Sequence, residues 1–417
     1  MKKILISIIL VILLLSLTIA PATTGTKSLK QNISTKKSSE EQINQTISEK
    51  IFDTFFRILM KISHKPSVAV GIIHNNSLIW SKGYGYYDIE NQKTATKDTL
   101  YLQASVSKTV TATALMQLYE QGKFKLTDDI SKYLPFDLKN PNHPDINITI
   151  EMVLSHRSSL ADDNLYWLCL SYQPGDPDIP DWPYPWLEEY LTPNGSAYSA
   201  STWSTYKPGE KYLYANVGFS LIGYLVEIFS GQDFNDYCHE HIFEPLKMHN
   251  SSFRLRDHNQ NNIAVPYEFK NGEYFRHPQY GTPLIYPAIT LRTSVEEFSH
   301  FLIAHMNGGV WNGVRILQNS TVEEMHKAHF SPEDKHNYGY GWSISKKLFN
   351  KTQISHSGGY VGCLDLVTYK PWKDTTVIFF SNELDSELIS SKIEYKTINL
   401  MNKLLFLKAH RLIKENN

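Results

Sequence analysis

Runs with a β pattern stand at both ends of the folded part of this chain, and a long, mainly helical stretch separates them. Near the N-terminus, Ser67–Ile73 and Ser77–Tyr84 are β-rich and flank His74-Asn75-Asn76, a hairpin signal. Near the C-terminus, Tyr338–Ser345, Gln353–Ser357, Leu364–Tyr369 and Thr375–Ser381 alternate or run β-branched. Between them, Asp128 to about Lys327 carries mainly helical patterning broken by Pro- and Trp-rich loops. Three helices complete the pattern: an amphipathic one over Ile43–Ile62, one over Ser105–Gln121 ended by Gly122, and a last one over Glu387–Leu405 continuing toward Lys414. These elements predict an α+β fold. One antiparallel sheet is built from both chain ends and flanked by helices, with a mainly helical lobe (about 125–335) inserted and a cleft at the lobe junction.

The first residues read as an address. Lys2 and Lys3 precede a run without charge from Ile4 to Thr26, and Ala20-Pro21-Ala22 supplies small residues for cleavage. Residues 1–22 are therefore expected to be a secretory signal peptide, or else an uncleaved signal anchor. Residues 23–45 are polar and expected to be a flexible tether, and the folded domain is expected over 46–410. The expected location is secreted or extracytoplasmic, with membrane attachment only if the N-terminal segment stays in place. Eight sequons, from Asn32 to Asn350, are candidate glycosylation sites or accidents of an Asn-, Ser- and Thr-rich composition. Cys169, Cys238 and Cys363 are an odd set, of which one pair could bridge. Lys plus Arg (41) balances Asp plus Glu (42), which argues against a nucleic-acid partner.

Three short motifs could carry chemistry. Four S-x-x-K matches occur, at Ser34, Ser105, Ser204 and Ser343, and only Ser105 opens a helix that is otherwise nearly uncharged. Ser105 and Lys108 then share a helix face, where a neutral amine could take the hydroxyl proton and make a nucleophile. In Tyr214-Ala215-Asn216, the Tyr could share the proton work and the Asn amide could orient a carbonyl. In His356-Ser357-Gly358-Gly359, paired glycines allow close approach to the backbone. An N–H there could complete an oxyanion hole with the N–H of Ser105. Each motif alone has a plain structural alternative: a surface lysine, a buried tyrosine, a tight turn.

The order S-x-x-K, Y-x-N, H-x-G resembles the serine β-lactamase and penicillin-binding-protein-like superfamily. The likeness is to its class C β-lactamase-related branch, with D-aminopeptidase, DD-carboxypeptidase and esterase relatives. Supporting stretches include Ile148–His156, Glu244–Met248, Leu291–Ser294 and Tyr338–Trp342, and the likeness runs from about Glu49 to Asn382. The resemblance implies a β-lactamase/transpeptidase-like fold and a serine hydrolase acting through an acyl-enzyme. Ser105 would be the nucleophile, Lys108 its proton acceptor and Tyr214 a proton shuttle, with Lys108 and Tyr214 working as a coupled pair. The N–H groups of Ser105 and Gly359 would form the oxyanion hole. Asn216, His356, Ser357 and Gly358 would contact the substrate. No cofactor and no metal are expected, and the partner would be a small-molecule or short-peptide substrate; the sequence leaves oligomeric state open.

The chain departs from the antibiotic-resistance pattern at His356, which stands where class C β-lactamases carry the Lys of K-T-G. A largely neutral His grips a carboxylate less firmly than a Lys. A peptidase or esterase is therefore expected ahead of a true β-lactamase or DD-carboxypeptidase, and a non-catalytic binding or assembly protein is the other alternative. The usual His-Thr-Ser-Gly of the family reads His156-Arg157-Ser158-Ser159, without an assigned catalytic meaning. The segment Asp162–Thr205, with Trp167, Trp182, Trp186 and Trp203, is either an aromatic pocket wall or a packed surface loop. Cys238-His239-Glu240-His241 looks metal-like, but neighbours on a helix face different ways.

Overall fold

The computed structural model describes residues 32–162, 173–175, 183–330, 337–384 and 393–416. The signal segment, Cys169, Trp167 and Trp182 lie outside the described residues. The chain divides into two units, Met1–Phe55 and Phe56–Asn417. The described part of the first is helical. It is the beginning of α1 (Asn32–Ile62), so the stretch read as a tether is helical from Asn32 onward. Adding turns to an existing helix costs far less than nucleating one, which lets polar Lys-, Glu- and Gln-containing sequence extend it upstream.

The second unit is built on eight antiparallel strands. They are β1 (Ser67–His74), β2 (Ser77–Asp88), β3 (Lys93–Thr94), β4 (Asn337–Tyr338), β5 (Ser343–Lys346), β6 (Thr352–Tyr360), β7 (Cys363–Lys370) and β8 (Thr375–Ser381). The sheet order is β4-β5-β6-β7-β8-β1-β2-β3. The two chain ends therefore meet at the β1–β8 pair, in register from Val68 opposite Ser381 to His74 opposite Thr375. The β1–β2 turn places Asn75 and Asn76 at φ 47° and 55°, a left-handed pair that matches the twist of a tight hairpin. The predicted run Tyr338–Ser345 is two strands, because the chain turns back at Gly339–Trp342 with a 2.8 Å bond from Gly339 N to Trp342 O.

Every residue of β8 is buried, so both of its faces are covered. Two helices pack against β1 and β8: α4 (Val295–Met306) and α5 (Ile393–Asn416). Phe298 of α4 meets Phe380 of β8 at 5.8 Å between ring centroids. At the other end of the same core lie α2 (Ser107–Glu120) and α3 (Asn216–Ser230), which pack on each other. α3 is apolar over most of its length and ends at Gly231, whose φ of 74° closes the helix in a left-handed cap.

Among the described residues, the middle of the chain holds hairpins that helical patterning concealed, a short one over Val310–Arg315 and a longer one. Tyr267–Lys270 and Glu273–Arg276 pair as a hairpin through Asn271-Gly272, both at positive φ. The Asn-Gly dipeptide was the available signal. Trp203 is buried and its indole N–H donates to Leu191 O at 3.0 Å, so it packs in the core rather than over a pocket. Cys238 and Cys363 are both buried thiols without a disulfide. Among the described residues no helix is long and apolar enough to cross a membrane.

Candidate active site

Ser105 sits in a single tight turn, Ala104–Val106, immediately before α2. Ala104 holds φ at 41°, an uncommon conformation for a residue with a side chain. From Tyr101 to Leu118 every residue is buried except Ser105, so the fold exposes one hydroxyl in an otherwise closed segment.

Lys108 lies one turn further on and is fully buried. Its amine reaches three acceptors: Ser105 Oγ at 3.1 Å, Asn216 Oδ1 at 2.7 Å and Ala288 O at 3.0 Å. Three acceptors satisfy an ammonium. When neutral, the amine keeps two of them and turns its lone pair to the Ser105 hydroxyl, so the same geometry serves both proton states. Burial lowers the Lys108 pKa to about 7, against the opposing charge of Asp162. A substantial neutral fraction near pH 7 is what a general base on Ser105 requires.

Tyr214 presents its ring to Lys108, with Nζ 4.9 Å from the centroid. Its hydroxyl is buried beside Ser105 and has no fully formed hydrogen bond. Burial holds the phenol well above its ordinary pKa, so it is a neutral O–H. Asn216 opens α3, and both ends of its amide are engaged: Oδ1 by Lys108, Nδ2 by Asp162 Oδ2 at 2.8 Å. In this arrangement the Asn216 amide is bonded to Lys108 and Asp162.

The third motif lies on β6. The β5–β6 pairing stops at Ser343 opposite Ser355, so from His356 onward that edge of β6 is not paired to β5 and faces the Ser105 turn. A Cβ at Gly358 would lie 2.2 Å from Gln103 O and 3.1 Å from Ser105 N, so only glycine allows this approach. Ser357 and Gly359 are exposed, whereas His356 and Gly358 are buried. The His356 ring is used internally. Its Nδ1 donates to Ser357 O at 2.9 Å, which leaves Nε2 to accept from the Tyr338 hydroxyl at 2.7 Å. Burial, with Lys108 nearby, lowers the His356 pKa to about 3, so the ring is neutral. The expected substrate contact by His356 thus has no free ring nitrogen.

The structure brings Ser105, Lys108, Tyr214 and Asn216 together and sets β6 against the Ser105 turn. Sequence reasoning missed four participants: Asp162, Ala288, Tyr338 and His156. His156 lies against the Tyr214 ring at 4.2 Å and the Tyr338 ring at 4.8 Å, and accepts from Ala215 N at 3.2 Å. It braces Tyr214, which gives the divergent His-Arg-Ser-Ser stretch a structural part. None of these contacts follows a local spacing; Ala288 and Asp162 lie 180 and 54 residues from their partners.

The model of the Beta-lactamase family matches residues 52–393. The chain belongs to the beta-lactamase family. Protein flp of Staphylococcus aureus (strain MW2) is 23% identical to this beta-lactamase-family chain over 368 residues, covering 85% of this chain and 67% of that protein. A putative D-alanyl-D-alanine carboxypeptidase of Escherichia coli (strain K12) is 25% identical over 362 residues, covering 76% and 78%. A D-amino acid amidase from Ochrobactrum anthropi SV3, solved with L-phenylalanine amide, shares the fold. Its TM-score is 0.67 at 18% identity, with 86% of this chain and 99% of that chain covered. The β-lactamase/transpeptidase-like fold that the resemblance implied is the observed one, as is the antiparallel sheet from both chain ends expected from the strand pattern, and the family is one of serine hydrolases.

Proposed function

We propose that this protein is a secreted serine hydrolase that cleaves an ester or amide through a covalent acyl-enzyme on Ser105. Neutral Lys108 takes the hydroxyl proton as Ser105 Oγ attacks the carbonyl carbon. The N–H groups of Ser105 and Gly359 receive the negative charge on the carbonyl oxygen. Collapse breaks the bond to the leaving alcohol or amine, which takes the proton back from Lys108 with Tyr214 beside the path. Water, deprotonated by the same pair, then hydrolyses the acyl ester and restores the serine. The observation that carries this reading is the buried Lys108 amine, 3.1 Å from the one exposed hydroxyl of its segment.

The substrate class follows from His356. A neutral ring with both nitrogens engaged offers no cation to a carboxylate. This favours ester or amide substrates without a carboxylate beside the scissile bond over β-lactams and C-terminal D-alanyl-D-alanine, and the fold relative named a D-amino acid amidase is consistent with it. The test is intact-mass analysis after exposure to a fluorophosphonate. A single adduct on the wild type and none on Ser105→Ala supports the reading. A folded wild type that takes up no adduct returns the weight to a non-catalytic binding protein.

A further inference from the structure

Asp162 belongs to none of the three motifs, yet it holds two of them together. Its partly buried carboxylate caps α3 from 54 residues upstream. Oδ1 accepts from Asn216 N at 2.8 Å and Val217 N at 3.3 Å. Oδ2 accepts from Asn216 N at 2.6 Å and from Asn216 Nδ2 at 2.8 Å. Ala215, at the capping position itself, has no side chain to do this.

The amide orientation of Asn216 follows. With Nδ2 on the carboxylate, Oδ1 must face Lys108 Nζ. The flipped amide would set Oδ1 against the carboxylate and Nδ2 against the Lys108 donors, two like-to-like contacts in a buried site. Asp162 also places a negative charge one amide group away from the Lys108 amine. The other titratable groups around Lys108 are Ser105, Tyr214, His156 and His356, and the two histidines are held neutral by burial. Among the described residues, Asp162 is the carboxylate whose charge acts on Lys108.

We infer that Asp162 is a positioning residue for the proton transfer. It fixes the Asn216 amide, and through it the Lys108 amine, on Ser105. This rests on the reading of Ser105 and Lys108 as nucleophile and base. A residue that only caps the helix behaves differently, because Asn and Ser cap about as well as Asp. The carboxylate opposes the effect of burial on Lys108, so its removal lowers the Lys108 pKa further.

The experiment is the pH dependence of the fluorophosphonate labelling rate, read by intact mass, for the wild type, Asp162→Asn and Asp162→Ser, with circular dichroism on each. The expected result is folded variants that label on the order of tenfold or more slowly at the plateau. Their labelling midpoint moves to lower pH by about one unit or more. A midpoint identical to that of the wild type, whatever the rate, overturns the proposal. Loss of fold in both variants overturns it as well, by assigning the Asp162 carboxylate to holding the fold rather than to the proton transfer. A wild type that does not label instead removes the reading of Ser105 itself, so the two failures are distinguishable.

Discussion

The Tyr338 hydroxyl donates a 2.7 Å hydrogen bond to Nε2 of His356, and Nδ1 of the same ring is bonded to the chain at Ser357 O. His356 is therefore neutral, with both ring nitrogens engaged. A charge-assisted hydrogen bond contributes about 1.5–3 kcal/mol. Without one, a chromogenic cephalosporin should turn over on the order of 10- to 100-fold more slowly than a simple ester of similar size. Comparable rates for both would contradict the ranking of substrates.

Labelling of Ser105 should depend on one ionisation. Lys108 must be neutral to act as base, and burial sets its pKa near 7. The rate should rise with pH through about 7 and level off above it. His356, with its pKa lowered to about 3 by burial, stays neutral throughout. The profile of His356→Gln should keep the same midpoint, and loss of the midpoint in that variant would assign the ionisation to the histidine.

Lys108→Ala should label at least on the order of 10²-fold more slowly than the wild type. The variant loses the donor to Asn216 Oδ1 and Ala288 O, so circular dichroism must show that it is folded before its rate is read. Lys108→Arg should not restore the rate, since a guanidinium stays protonated. In steady-state assays a change confined to KM would show that Lys108 binds substrate only.

Gly358→Ala probes the contact between β6 and the Ser105 turn. The added methyl would meet Gln103 O at 2.2 Å, a distance that forces the turn or the strand to move. A shift of about 1 Å at the nucleophile can cost roughly 10²-fold in rate. Gly359→Ala has only the Leu364 side chain nearby, at 3.5 Å, and should label far better than Gly358→Ala. Equal labelling of the two variants would place the close approach elsewhere.

Stability hangs on a buried ion cluster remote in sequence. Lys65 donates to Glu383 at 2.7 Å and also pairs with Glu394, and all three side chains are inaccessible. Burial alone would lower the Lys65 pKa, but the two carboxylates more than offset it and raise it above 10.5. The lysine's contribution is therefore present at neutral pH and is lost as pH rises past that raised value. Lys65→Met leaves two buried carboxylates without their cation and should destabilise by about 3–5 kcal/mol. Urea unfolding at pH 7 measures this, and an unchanged midpoint would show that the cluster contributes nothing net.

Much of the sheet was legible because period-two patterning is local. Thr375–Ser381 is β8 residue for residue, and β1 differs from its predicted run by one residue. The hairpin over Tyr267–Arg276 was hidden by its helical surroundings, although Asn271-Gly272 announced it. The S-x-x-K motif at Ser105 stood out because its helix carries no other charge nearby, which is a statement about sequence alone. Asp162 could not be singled out in the same way. Its partners begin 54 residues later, and an aspartate in a polar, Trp-rich stretch has no pattern that distinguishes a cap from a surface group.

The sequence by itself determined the inventory and its order. It set strands at both ends, helices between them, one serine poised at the start of a helix otherwise nearly uncharged, and a histidine where the resemblance to class C β-lactamases implies a lysine. Only the tertiary structure decided the chemical state of those groups. Desolvation brings Lys108 to about 7 and His356 to about 3, and both shifts come from what packs around the side chain. The Lys108 contacts to Asn216 and Ala288 span 108 and 180 residues. Hydrogen bonds and burial act through space over a few ångströms, so spacing along the chain carries no record of them.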